Sequence, residues 1–106
     1  TQIAFYGSTR NCAFQFDDRG FEGTSARLNS LLKAGDIAGM ADAISDEMLG
    51  HFAVVGRWDE VADTLITRYG GRAERIISYL TADDLSRNPD NLGRWAEVAR
   101  AVIEAQ

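Results

Sequence analysis

Gln2 to Tyr6 form a short, aromatic-rich apolar run closed by Gly7-Ser8, which predicts a strand over about 2–7 buried on both faces. Beyond it the pattern turns helical. Ser8 or Thr9 can cap a helix over about 10–19, with Ala13 and Phe16 at helical spacing and Gly20 placed for a left-handed stop. Thr24 caps a second helix over about 24–34, carrying Leu28, Leu31 and Leu32 on one face and ending at Gly35. Asp36 opens a third over about 36–44, where Ile37, Met40, Ala41 and Ile44 fall at i, i+3, i+4 and i+7. Only Gly39 interrupts it, at a cost of about 1 kcal/mol. Ser45 caps a fourth over about 46–52, with Asp46 and Glu47 favourable in its first turn and Met48, Leu49 and Phe52 on its buried face. Helices this short are marginal alone and need a larger apolar surface to lie on.

In the second half, Ala53-Val54-Val55-Gly56 reads as an extended connector. Trp58, Val61, Ala62, Leu65 and Tyr69 then give a clear helical stripe over about 58–69, stopped by Gly70-Gly71. Arg75-Ile-Ile-Ser-Tyr-Leu80 predicts a second buried strand over about 75–80. The stretch from Thr81 to Asp90 is polar, with Pro89 as a breaker. A last helix spans about 91–104, with Leu92, Trp95, Ala96, Ala99, Val102 and Ile103 as its apolar face and Arg100 and Glu104 paired outside. Two apolar strands separated by helices imply parallel pairing through a right-handed crossover. Such a pair leaves edges and faces open, so further strands are expected from elsewhere in a longer chain or from a second copy.

Composition narrows the possibilities. With 106 residues the chain fits one domain and reads as one continuous unit, without repeats or low-complexity tracts. Sixteen acidic against eleven basic residues, a net charge of -5, argue against nucleic acid and against an anionic membrane surface as partners. No apolar run approaches the roughly 20 residues a span requires. The single Cys12 excludes an internal disulfide and a multi-thiolate zinc site, and a reducing cytoplasm is the expected location. The start Thr1-Gln2-Ile3 has neither an initiator Met nor a charged-then-apolar leader, as expected of a processed or artificially set end.

Three stretches carry a resemblance. Ile3-Ala4-Phe5-Tyr6-Gly7-Ser8-Thr9, then Asp46-Glu47-Met48-Leu49 leading through Phe52-Ala53-Val54-Val55-Gly56 into a helix, and Arg75 to Leu80 are similar to the C-terminal part of luciferase-like monooxygenases. Actinobacterial members that use a deazaflavin are the nearest in pattern. The resemblance covers roughly residues 2 to 80. It implies an α/β fold, mostly helical in this portion: the last two strand-helix units of a (β/α)8 TIM barrel, with the helices between Arg10 and Phe52 as an insertion beside the pocket. The family's usual Thr-Pro-Glu-Glu after Val-Val-Gly is here Arg57-Trp58-Asp59-Glu60, which keeps the acidic first turn and loses the cap and the N1 proline.

The resemblance further implies a parent protein that is an oxidoreductase, passing hydride to or from the deazaflavin coenzyme F-420 or FMN. Its other strands would hold most coenzyme contacts and the catalytic groups. This chain would complete the barrel and line part of the pocket, inactive alone, with the remainder of the barrel as its partner. A different class of reading is an autonomous, non-catalytic helical module that buries its apolar faces by self-association as a homo-oligomer.

Candidate chemistry is sparse. Gly7-Ser8-Thr9 closes a strand and opens a helix, so its N–H groups and hydroxyls either bind an anion at the helix N-terminus or simply cap it. Tyr6 and Tyr79 would sit near the outlet ends of the two strands, where a barrel places its pocket, or serve as core aromatics. These five are the expected pocket-lining or cofactor-binding residues; no residue stands out as catalytic and no metal site is expected. His51 has no ligand partners at metal spacing and reads as a helix-end residue. Cys12 is either a reactive thiol near a helix start or a small apolar side chain. Asp17-Asp18, Asp59-Glu60 and Asp83-Asp84 are adjacent pairs, which on a helix point apart and read as solvated or capping charges. Arg68, Arg72 and Arg75 gather at a helix end, where the dipole favours cations and where a phosphate is the other possible partner. Met40, Met48, Trp58 and Trp95 lie on helical stripes and read as core.

Overall fold

A computed structural model describes residues 1–79 and 81–106. They divide into two compact units, Thr1–Ala53 and Val54–Gln106, where the sequence pattern reads as one. Among the described residues there is no strand, which overturns both strand assignments and with them the TIM-barrel architecture.

The first expected strand is a helix, α1 (Gln2–Gly7). A strand buried on both faces needs neighbours on both edges to accept its backbone groups, and the described residues offer none. The helix satisfies those groups within itself and turns Ala4 and Gly7, spaced i and i+3, inward. Small residues there bring its backbone close to the core: a Cβ on Gly7 would stand 2.5 Å from the Phe16 ring and 2.9 Å from Leu28 Cδ1. Over 10–19 the helix is broken into a 3-10 turn, Arg10–Cys12, and α2 (Phe14–Asp17). Its opening bonds, Cys12 N–H to the Thr9 carbonyl and Ala13 N–H to that of Arg10, are i to i+3, the tighter winding common at helix starts.

The next three elements match their expected places within a residue or two. In α3 (Thr24–Lys33) the residue before the helix is Gly23, and Thr24 is already helical, its hydroxyl donating to the Phe21 carbonyl at 2.7 Å instead of capping. Gly35, at φ 72°, ends it with paired bonds: its own N–H to the Leu32 carbonyl and that of Asp36 to Leu31, a Schellman closure that only a residue tolerant of positive φ makes cheaply. Asp36 then caps α4 (Ile37–Asp42), accepting the Gly39 N–H at 2.8 Å. Ser45 likewise caps α5 (Asp46–Phe52), accepting from Met48 at 3.1 Å. The core of this unit is Ala4, Phe16, Leu28 and Met40, ringed by partly buried side chains including Ile3, Leu31, Ile44 and Phe52.

The second unit holds α6 (Trp58–Tyr69), α7 (Thr81–Arg87) and α8 (Asn91–Glu104), with α6 and α7 each packed on α8. Glu60 reaches back to accept the Arg57 N–H at 3.4 Å, half of a capping box that makes up for the missing hydroxyl cap. The Arg57 guanidinium, which has no acceptor, pairs instead with Asp59 at 2.8 Å. The second expected strand is corrected as well. Residues 75–79 form no strand and are exposed, while Leu80 lies outside the described residues. Without a partner strand this run has nothing to pair with. The polar stretch after it holds α7, a helix the hydrophobic pattern does not announce because it has no apolar stripe.

Candidate functional site

The five expected pocket residues occupy dissimilar places. Gly7 and Ser8 are buried at the end of α1. The Ser8 hydroxyl does not cap: it donates to the Phe5 carbonyl at 2.6 Å, and the Ser8 carbonyl accepts from Asn29 Nδ2 at 3.1 Å. Thr9 is exposed, with extended backbone and no side-chain cap bond. Tyr6 is exposed on α1, its ring edge-on to Phe5. Tyr79 is 72% exposed in the other unit, beyond the last turn of α6. Within the first unit Tyr6 to Thr9 thus run from the exposed face of α1, through its buried end, to the exposed start of the 3-10 turn.

The other residues singled out by the sequence fall in varied surroundings. His51 ends α5 with its ring 5.7 Å from that of Phe21. Cys12 is half-buried in the 3-10 turn. Arg68 lies over the Tyr69 ring at 5.6 Å. Met40 is core, as its stripe predicts. Trp58 and Trp95 meet edge to face at 5.1 Å and join α6 to α8, with the Arg94 guanidinium 5.9 Å from the Trp58 ring centre. Among the described residues no three His, Cys, Asp or Glu side chains are grouped to hold a metal ion.

One cluster escapes the sequence reading. Asp84 on α7 accepts from Trp95 Nε1 at 2.8 Å, from Asn91 Nδ2 at 3.1 Å and from Asn88 Nδ2 at 3.1 Å. The Trp95 bond, followed by that from Asn91, holds its carboxyl below the ordinary aspartate value. Asp84 is thus a docking group for α8, a role beyond the solvated or capping charge that the pair Asp83-Asp84 reads as, although both do stand in the first turn of α7. The spacing Asp84, Asn88, Asn91, Trp95, alternating four and three, is the signal that could have found it.

The face that α8 presents also differs from expectation. Its one buried residue is Val98, 7% exposed, and the half-buried Asn91, Trp95 and Val102 share that face at intervals of four, three and four. Leu92, Ala96, Ala99 and Ile103 make a second apolar stripe with the same intervals, and all four are exposed. Beside it, a groove of about 240 Å³ is lined by Leu65, Ile76, Val98 and Val102 together with the polar Glu74, Arg75, Ser78 and Gln106. Ile77 stands 81% exposed in the adjoining segment. An apolar stripe on each of two faces is the mark of a helix made to be covered from two directions.

Comparison with known proteins returns three relatives: Mb1395 of Mycobacterium bovis, and MT1405 and Rv1360 of Mycobacterium tuberculosis, each described as an uncharacterized protein. Each is 40% identical over 81 residues, which is 76% of this chain and 24% of the relative. The chain thus spans about a quarter of the length of the curated relatives it matches. No protein-family model matches the chain, and no solved structure matches it. No helix among the described residues is long and apolar enough to cross a membrane.

Proposed function

We propose that this chain is the C-terminal portion of a longer flavin- or deazaflavin-dependent oxidoreductase of the luciferase-like kind, in which it covers apolar surface and walls part of the pocket without catalysing by itself. The observation that carries the proposal is the second apolar stripe of α8, Leu92, Ala96, Ala99 and Ile103, left exposed beside the open groove. Stable single domains seldom leave so continuous a face to water. Relatives about four times as long as the stretch they share are consistent with further chain to cover it. The choice of coenzyme, F-420 or FMN, rests on the resemblance of the three sequence stretches, and the catalytic groups would lie outside these residues.

The test is a fluorescence titration of F-420 and of FMN into three proteins: a full-length mycobacterial relative, that relative lacking the matched stretch, and the 106-residue chain. Binding by the first, at least tenfold weaker binding by the second and none by the third is the expected result. A full-length relative that binds neither coenzyme contradicts the oxidoreductase reading. The same stripe also favours a second reading, a non-catalytic module covered by its own copy. Sedimentation velocity separates the two: a tight dimer disrupted by Leu92→Glu supports self-association, and a monomer argues against it.

A further inference from the structure

A second groove, of about 340 Å³, lies within the first unit and has no part in the covering role of α8. Arg10 and Asp17 line it from the 3-10 turn and α2, and Gly23, Ser25, Ala26 and Asn29 line it from the start of α3. Four of its features suit an oxyanion. First, α3 begins at a glycine, which supplies no side-chain cap, and the backbone N–H groups of Ser25 and Ala26 have no acceptor among the described residues. Unpaired N–H groups at the positive end of a ten-residue helix attract negative charge.

Second, Ser25 is only 6% exposed, yet its hydroxyl bonds to no protein group among the described residues. No fully buried side-chain oxygen or nitrogen among them lacks a partner, so what remains exposed of Ser25 includes that hydroxyl, and Ser25 lines the groove. That hydroxyl is reached from the groove, so a polar ligand there can complete its bond in place of water. Third, Arg10 makes no ion pair among the described residues, not even with Asp17 on the same wall, so its guanidinium fork is available. Fourth, Asn29 is oriented by donating Nδ2 to the Ser8 carbonyl at 3.1 Å, which leaves its Oδ1 as an acceptor. Together with the Asp17 carboxylate it offers acceptors that a bare anion cannot use but hydroxyl groups can.

We propose that this groove binds a small phosphate monoester of a polyol, the phosphate on Arg10, Ser25 and the start of α3, and the hydroxyls on Asp17 and Asn29. A volume of this size is at the lower end of small-molecule pockets, which run from about 300 Å³ upward. The test is an amide NMR titration of the 106-residue chain with glycerol 3-phosphate, inorganic phosphate and glycerol. Expected are saturable shifts at the Ser25 and Ala26 amides with glycerol 3-phosphate, weaker ones with inorganic phosphate, and none with glycerol. Arg10→Gln should weaken binding about tenfold, the loss of one charge-assisted bond. Ser25→Ala should weaken it severalfold, both variants keeping the parent's dispersed spectrum and melting temperature. Shifts that do not saturate, or that are equal in the variants, overturn the site. Inorganic phosphate binding as tightly as the ester overturns the polyol assignment, and a collapsed spectrum of the parent overturns the fold on which the groove rests.

Discussion

The two units of this chain solve the problem of a small core differently. Thr1–Ala53 threads five short helices around Phe16, Leu28 and Met40, each sealed from water. Val54–Gln106, of the same length, buries Val98 and holds α6 and α7 on α8 chiefly through two tryptophans and one carboxylate. The first closes because its sequence supplies stop signals: Gly35, Asp36 and Ser45 end one helix or begin the next every few residues, so short apolar stripes fold back on one centre. The second spends its apolar residues on two sides of α8 and on the exposed run through Ile76 and Ile77. What separates them is direction of burial, since both are rich in apolar side chains.

Removing a core side chain should sharpen that difference most. Phe16→Ala is expected to cost about 3 to 5 kcal/mol in urea unfolding, whereas Val98→Ala should cost about 1 to 2 kcal/mol, the transfer value of the methyl groups removed. Equal losses would erase the distinction. Gly7→Ala comes next. The added methyl meets the Phe16 ring and Leu28 at less than contact distance, so about 1 to 3 kcal/mol should be lost despite the better helix propensity of Ala. A stabilised variant would show that α1 is not held against that core.

Acid provides a smaller effect confined to the second unit. Asp84 has its carboxyl lowered by the Trp95 and Asn91 bonds, so the folded state favours its charged form. The stability this contributes is complete above the ordinary aspartate value of about 3.9 and is lost as pH falls through the lowered one. Trp95 fluorescence should therefore report a release of α7 from α8 below about pH 4, and Asp84→Asn should remove that acid dependence. Smallest of all is Ile103→Ser on the exposed stripe. In the isolated chain its effect should lie within about 0.5 kcal/mol, while a partner that covers the stripe should bind it measurably less well.

Local signals in the sequence translated well where the physics is local. Asp36 and Ser45 cap as their types predict, Gly35 and Gly71 take the left-handed conformation that stops a helix, and Met40 is buried by its stripe. Long-range readings did not survive. The runs 2–7 and 75–80 carry strand-like composition, but a strand is defined by its neighbours, and the described residues supply no edge for either to join. Phe5 and Tyr6 consequently face water on α1 while Ala4 and Gly7 face in. Asp84 was missed for the opposite reason: its partners Asn91 and Trp95 lie beyond Pro89, and reading Asp83-Asp84 as a local charge pair ignores the turn that brings α8 back to it.

Native-state hydrogen exchange on the 106-residue chain, resolved by residue, tests most directly the claim that one unit is closed and the other awaits a covering surface. Amides of Leu28 and Met40 should exchange only through global unfolding, those of α6 and α7 through far cheaper local opening, and those of α8 in between. Protection in α6 and α7 equal to that at Leu28 and Met40 would contradict the account.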